Sequence, residues 1–228
     1  MHDLSSPSQK MKIEIWSDIV CPFCYLGKRE FELALDQFQF KDHIEVSWKS
    51  FQLSPNLKTN AEVTIYDHLS KEKGIPEDQA RKMTKGISVR GVSIGITYNF
   101  EQSIVANTFN AHMLLHFAKQ FGVQNQVKER LLFLHFTEGA NVDDNDTLLG
   151  VCDDFNLNRA EFEEILATHS LRKEVQKDSE QARIYGITGV PFFVFDRKYA
   201  VSGAQENRVF QETIQHAFDE WNLNSHQQ

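Results

Sequence analysis

Four residues near the start of the chain, Cys21-Pro22-Phe23-Cys24, stand between two segments of opposite periodicity. That junction restricts the fold more than any other feature. Ahead of it, Lys12 to Ser17 reads Lys-Ile-Glu-Ile-Trp-Ser, a strict apolar alternation that suits a strand. Behind it, Leu26, Phe31, Leu35 and Phe38 recur at near-helical spacing, so the cysteines open a helix running to about Gln39. Ile44 to Phe51 then reads as a second strand, with Ile44, Val46 and Trp48 on one face. A strand–helix–strand unit of this kind is expected to close as a right-handed parallel crossover.

The rest of the chain changes character twice. From about Ala61 to Tyr185 the apolar period is helical. Pro76 with Glu77 and Asp78 marks one helix start, and Asn158 with Glu161 resembles a capping box for another. Gly74, Gly86, Gly91 and Gly95 punctuate the first part of this block, and Gly122 and Gly139 end two helices in its centre. Asp143-Asp144-Asn145-Asp146 reads as a solvated acidic turn, since a calcium loop needs a longer ladder of oxygen ligands. Strand character returns at Pro191 to Phe195 and at Tyr199 to Ser202, a hairpin across Asp196-Arg197-Lys198. Val209, Phe210, Ile214, Ala217, Phe218 and Trp221 give a final helix its apolar face. The class is α/β: strand, helix, strand, helical block, strand, strand, helix.

At 228 residues the chain can bury a core without covalent staples, and three cysteines are too few for a secreted disulfide scaffold. Met1 to Lys10 is polar and carries no signal-peptide pattern, so a cytoplasmic location is expected. No apolar run has the length to cross a bilayer, and the formal charge of −8 argues against nucleic-acid binding.

A cysteine attacks as its thiolate, and an unperturbed thiol is mostly protonated at neutral pH. Cys21 stands at a helix start, where unpaired N–H groups and the helix dipole favour an anion, and Pro22 suits the first helical position. Cys24 returns to the same face and is the natural resolving thiol. Phe23 offers an apolar surface and no charge, and Asp18 disfavours a second anion. The Cys21 pKa is therefore expected to fall less than in the strongest oxidants of this chemistry.

Half of a structural zinc site is the competing reading of the pair. It would need Cys152 or the i, i+4 pair His112 and His116 to complete four ligands, and no metal site is expected.

Two blocks carry a family resemblance: Trp16-Ser17-Asp18-Ile19-Val20-Cys21-Pro22-Phe23-Cys24-Tyr25-Leu26-Gly27-Lys28, and Gly186-Ile187-Thr188-Gly189-Val190-Pro191-Phe192-Phe193-Val194-Phe195. With them the chain resembles the DsbA-like branch of the thioredoxin superfamily, and within it the cytosolic FrnE-like dithiol–disulfide oxidoreductases and isomerases. Asn107-Thr108 followed by Ala111-His112 looks like a further family pattern. The resemblance implies a thioredoxin-like domain from residues 1–60 and 186–228, with a helical insertion at 61–185. It implies catalytic Cys21 and Cys24, supported by Pro22, Phe23 and Asp18, and a cis peptide before Pro191 that sets Val190 and Pro191 beside the pair to meet substrate. His112 is a further candidate for the substrate groove.

The expected partners are protein or small-molecule thiols and disulfides. Glutathione stays open as a thiol co-substrate, no other cofactor is implied, and monomer and homodimer both remain open. The layout is also similar to kappa-class glutathione transferases and 2-hydroxychromene-2-carboxylate isomerases, which typically use serine where Cys21 stands. A second cysteine has no role in that chemistry. Asp18 is read either as a proton shuttle for Cys24 or as a partner for N–H groups at the helix start. Trp16 is expected in the core, Lys28 on an exposed helix face, and Cys152 as a small buried hydrophobe.

Overall fold

Alternation in the first strand decides the layering. In a computed structural model that describes residues 10–225, β1 (Met11–Ser17) sends Met11, Ile13 and Ile15 to one face of the sheet, all fully buried. There they meet Phe31, Phe193, Phe195, Phe210 and Ile214 in one apolar cluster. Trp16 points the other way, into a smaller cluster with Ala182, Ile187 and Val194. The period of two thus makes one strand serve two cores.

The helix α1 (Pro22–Gln37) and strand β2 (Ile44–Ser50) follow, with β1 and β2 parallel and Ile15 opposite Trp48. α1 ends two residues earlier than its apolar spacing suggests. Phe38 leaves the helix in an extended conformation (φ −79°, ψ 124°) and its ring packs edge-on against Phe218 at 5.2 Å. Burying that aromatic pair outweighs another half-turn of helix.

Between β2 and β3 the chain is helical: α2 (Ile65–Lys73), α3 (Glu77–Ser93), α4 (Phe109–Gln120), α5 (Gln124–Phe133), a π-helical turn (Leu134–Glu138), α6 (Asn145–Asp154), α7 (Arg159–Thr168) and α8 (Arg172–Ile184). A core of their own forms around Leu114, Phe117, Leu131, Leu148 and Phe162. α8 lies within the 61–185 span read as an insertion, yet it closes the second face of the sheet. Its Asp178 carbonyl accepts from the Trp16 indole at 3.0 Å, and its Asp178 carboxylate accepts from the Ser50 N–H at 2.9 Å.

Two local expectations are corrected. Gly86 and Gly91 sit inside α3 and do not interrupt it. Gly91 is there for space, since a Cβ would lie 2.6 Å from the Tyr98 ring. In the acidic turn, Asp144 caps α6 by accepting from the Thr147 N–H at 2.9 Å, so half of that loop is a helix start.

The chain returns to the sheet as β3 (Phe192–Phe195) and β4 (Tyr199–Ser202), both antiparallel to their neighbours, in the order β2-β1-β3-β4. Asp196 and Arg197 both have positive φ (48° and 56°), and the Lys198 N–H bonds the Phe195 carbonyl at 3.0 Å, the tight turn that matches strand twist. α9 (Asn207–Ser225) then lays Phe210, Ile214, Ala217 and Phe218 on the same face as α1. The result is an α/β fold, a four-stranded sheet with a helical block between its halves. Among the described residues, no helix is long and apolar enough to cross a membrane.

Candidate active site

Cys21 is the N-cap of α1 and Pro22 its first helical residue, so the motif lies where the sequence puts it. The Cys24 N–H bonds the Cys21 carbonyl at 2.9 Å and closes the first turn over the motif. Phe23 stands 42 % exposed between two buried sulfurs, Cys21 at 4 % and Cys24 at 0 %. Of the two cysteines, only Cys21 keeps any exposed surface.

The peptide bond between Val190 and Pro191 is cis, and the Val190 carbonyl oxygen lies 3.5 Å from the Cys21 Sγ. Gly27 makes this approach possible. A Cβ at Gly27 would sit 2.8 Å from Pro191 Cγ and 3.4 Å from the Phe193 ring, so the first turns of α1 must be bare on that side. The Pro191 carbonyl in turn accepts from the Gly203 N–H at 2.8 Å, which ties the proline to the end of β4. On the far side, the Tyr98 hydroxyl donates to the Pro22 carbonyl at 2.7 Å, its ring lying in the space left by Gly91.

Charge in the pair differs from the sequence expectation. Cys21 is pushed up, because it hydrogen-bonds to Cys24, is buried, and faces the charges of Cys24 and Asp18. The Val190 carbonyl oxygen beside its sulfur opposes an anion in the same way. Cys24 is pulled down in spite of its burial, by the hydrogen bond from Cys21 and by the Lys128 ammonium. On losing its first proton the dithiol therefore favours the charge on the inner sulfur, with the remaining proton shared between the two. The helix-start argument is sound for a lone cysteine but omits the neighbour that competes for the same charge.

Asp18 is 1 % exposed, and its expected place as a partner for the N–H groups of α1 is corrected. Its Oδ1 accepts from the Ile19 N–H at 2.8 Å and lies 3.3 Å from His112 Nε2, while its Oδ2 accepts from the Leu53 N–H at 2.8 Å. The N–H groups it satisfies belong to the loop after β1 and the loop after β2, not to α1. Desolvation raises its pKa, and the His112 and Leu53 bonds overcome this to hold it below the ordinary carboxylate value. An ionised carboxylate only accepts, so His112 donates from Nε2. Burial keeps that imidazole neutral by lowering its pKa. His112 is fully buried, and as a groove-lining residue it is corrected: it holds Asp18 from behind.

Other expectations divide similarly. Lys28 is 1 % exposed, not a surface lysine, and pairs with Glu32 at 2.8 Å and Glu129 at 2.6 Å. Trp16 is fully buried as expected. Cys152 packs in the helical core, and burial pushes its thiol up to about 12. His116 lies 3.1 Å from Asp178 and does not share a centre with Cys21 and Cys24. Among the described residues, no group of three or more His, Cys, Asp or Glu side chains is placed to hold a metal ion. A cleft of about 520 Å³ between α1 and α5 is lined by Lys28, Arg29, Glu129 and Phe133 and includes neither cysteine. The sequence reading missed Tyr98 and Lys128, whose approach to the motif comes from the helical block.

Comparison with known proteins bears on the family and the fold. Residues 12–215 match the DSBA-like thioredoxin domain family. An uncharacterised Bacillus subtilis (strain 168) protein, YwbO, is 30 % identical over 208 residues, covering 89 % of this chain and 94 % of its own. A probable DsbA oxidoreductase from Streptomyces coelicolor superposes with a TM-score of 0.86 at 34 % identity, over 92 % of this chain and 91 % of that one. The cytosolic disulfide reductase DsbM from Pseudomonas aeruginosa, solved with GSH, shares the fold at 14 % identity and a TM-score of 0.60, over 91 % and 99 % of the two chains. The chain belongs to the DSBA-like thioredoxin domain family.

Proposed function

We propose that this protein is a thiol–disulfide oxidoreductase that exchanges disulfides with protein or small-molecule thiols through Cys21 and Cys24. The observation that carries the reading is the stacking of reach: a slightly exposed Cys21 against the Val190 carbonyl, and a buried Cys24 one turn below it. In the cycle, the shared proton passes from Cys21 to Cys24, and the Cys21 thiolate attacks a substrate disulfide. One substrate sulfur leaves as thiolate, and the other stays in a mixed disulfide with Cys21. Cys24 then loses its proton to a released thiolate and attacks Cys21 Sγ, which frees the second substrate sulfur and leaves a Cys21–Cys24 disulfide. Run backwards, the same steps oxidise a substrate dithiol.

Phe23 and the Val190-Pro191 loop flank Cys21 and supply an apolar rim and a backbone edge for an extended substrate. Glutathione fits this reading as a small thiol partner, and the DsbM structure holds it on the same fold. A cytoplasmic setting goes with it.

The test is a pair of substitutions. Cys21→Ser should abolish turnover, and Cys24→Ser should accumulate a covalent mixed disulfide visible by mass spectrometry. Full turnover in Cys24→Ser would refute the exchange mechanism in favour of a glutathione-dependent isomerase or transferase, which has no use for the second thiol.

A further inference from the structure

Lys128 is 0 % exposed, and its Nζ has no hydrogen-bond partner among the described residues. Leaving an ammonium buried and unpaired is costly, so its surroundings must offset the charge some other way. The nearest neutral help is the Trp48 ring on β2, whose centroid lies 5.7 Å from Nζ. The groups whose negative charge would favour it are Cys24, Asp18 and Cys21, in that order, against repulsion from Lys28. His112, on the neighbouring α4, is neutral and feels the same ammonium. Lys128 belongs to α5, which packs on β2 and, through the adjacent Glu129, bonds Tyr25, Lys28 and Arg29 of α1, so the helical block brings a buried cation to the first turns of the helix that carries Cys24.

We propose that Lys128 is the positioning residue whose ammonium holds Cys24 as a thiolate for the resolving step. The inference rests on the reading of Cys24 as resolver and assigns the reason it can ionise while fully buried. No proton is transferred through Lys128. It stays charged while the proton of Cys24 leaves with a substrate thiolate, and Cys24 then forms its bond to Cys21. Burial pulls the lysine down to about 8 even against the raising charges of Cys24 and Asp18, so the neighbouring sulfur's charge helps keep it protonated. The coupling is reciprocal: what the ammonium does for the thiolate, the thiolate does for the ammonium.

Titration of Cys24 in a Cys21→Ala background, followed by ultraviolet thiolate absorbance, isolates the effect, since Cys152 ionises far higher. Adding Lys128→Met should lower the thiolate population at a fixed pH on the order of tenfold, one pKa unit upward. A midpoint unmoved by Lys128→Met overturns the proposal. Met keeps the length of the lysine stem and removes only its charge, but the variant must fold for the titration to be read. Should it not fold, nitrogen NMR of the Lys128 amine in the wild-type protein decides instead. The amine should titrate at lower pH in the oxidised form than in the reduced form, and equal midpoints contradict the assignment. Neither result depends on substrate, so loss of the exchange mechanism would show separately, as the absence of a trapped species in Cys24→Ser.

Discussion

Asp18→Asn tests how much of the site is held by one carboxylate. Asp18 receives two backbone N–H groups at 2.8 Å, from Ile19 and Leu53, and the His112 imidazole at 3.3 Å, all from different stretches of chain. Asparagine offers one carbonyl oxygen. If that oxygen keeps Ile19 and His112, its NH₂ faces the Leu53 N–H, donor against donor, in a site 1 % exposed. One stranded buried donor plus the loss of charge assistance at the others gives a destabilisation of about 2–4 kcal/mol. Urea unfolding at neutral pH should show this as a lower midpoint with an unchanged slope. Because the folded-state pKa lies below the ordinary 3.8, the carboxylate stabilises fully above that value and loses its contribution as the pH falls through the folded-state pKa. The gap between wild type and variant should therefore narrow only in strong acid. A difference within about 0.5 kcal/mol at neutral pH would refute the idea that these three bonds are worth their burial.

Three further outcomes follow from the packing. Gly27→Ala should cost about 1–3 kcal/mol by thermal or urea unfolding and slow attack by Cys21, because the new Cβ meets Pro191 at 2.8 Å; an unchanged rate and midpoint would contradict the close approach. His135 is buried with its pKa pushed down to about 4, so the folded state binds its proton later than the unfolded state does. Stability from this group is complete above the unfolded value of 6.5 and is lost between there and about 4, and His135→Leu should flatten that stretch of the stability–pH curve. Cys152 should resist alkylation in the native protein and react only on unfolding, with Cys21 modified first; early labelling of Cys152 by iodoacetamide, read by peptide mapping, would contradict its place in the core.

What the sequence made legible was whatever a short window encodes. β1, α1 and the hairpin are written in periods of two and of about 3.6, and Pro22 marks the helix start without help from distant residues. The cysteine spacing and the block ending in Val190-Pro191 stand out the same way. What escaped were pairings between distant segments. Lys28 looks exposed until Glu129, 101 residues on, folds against it. Asp18 and His112 are 94 residues apart, and only their contact shows which N–H groups the carboxylate serves. Gly86 and Gly91 mimic breaks because local propensity does not record that Tyr98 needs room beside α3. Lys128 carries no local signal at all, since a lysine in an amphipathic helix reads as solvated until packing against β2 buries it.

The central claim is that Cys21 and Cys24 form a reversible pair, and equilibration of the wild-type protein with glutathione buffers of graded potential measures it directly. Acid quenching and intact-mass analysis should reveal one two-electron transition, with loss of two hydrogens, a disulfide mapped to Cys21 and Cys24, and Cys152 still free. A protein that passes through the whole range with both thiols unchanged, or that accumulates only a glutathione adduct with no internal disulfide, would contradict it.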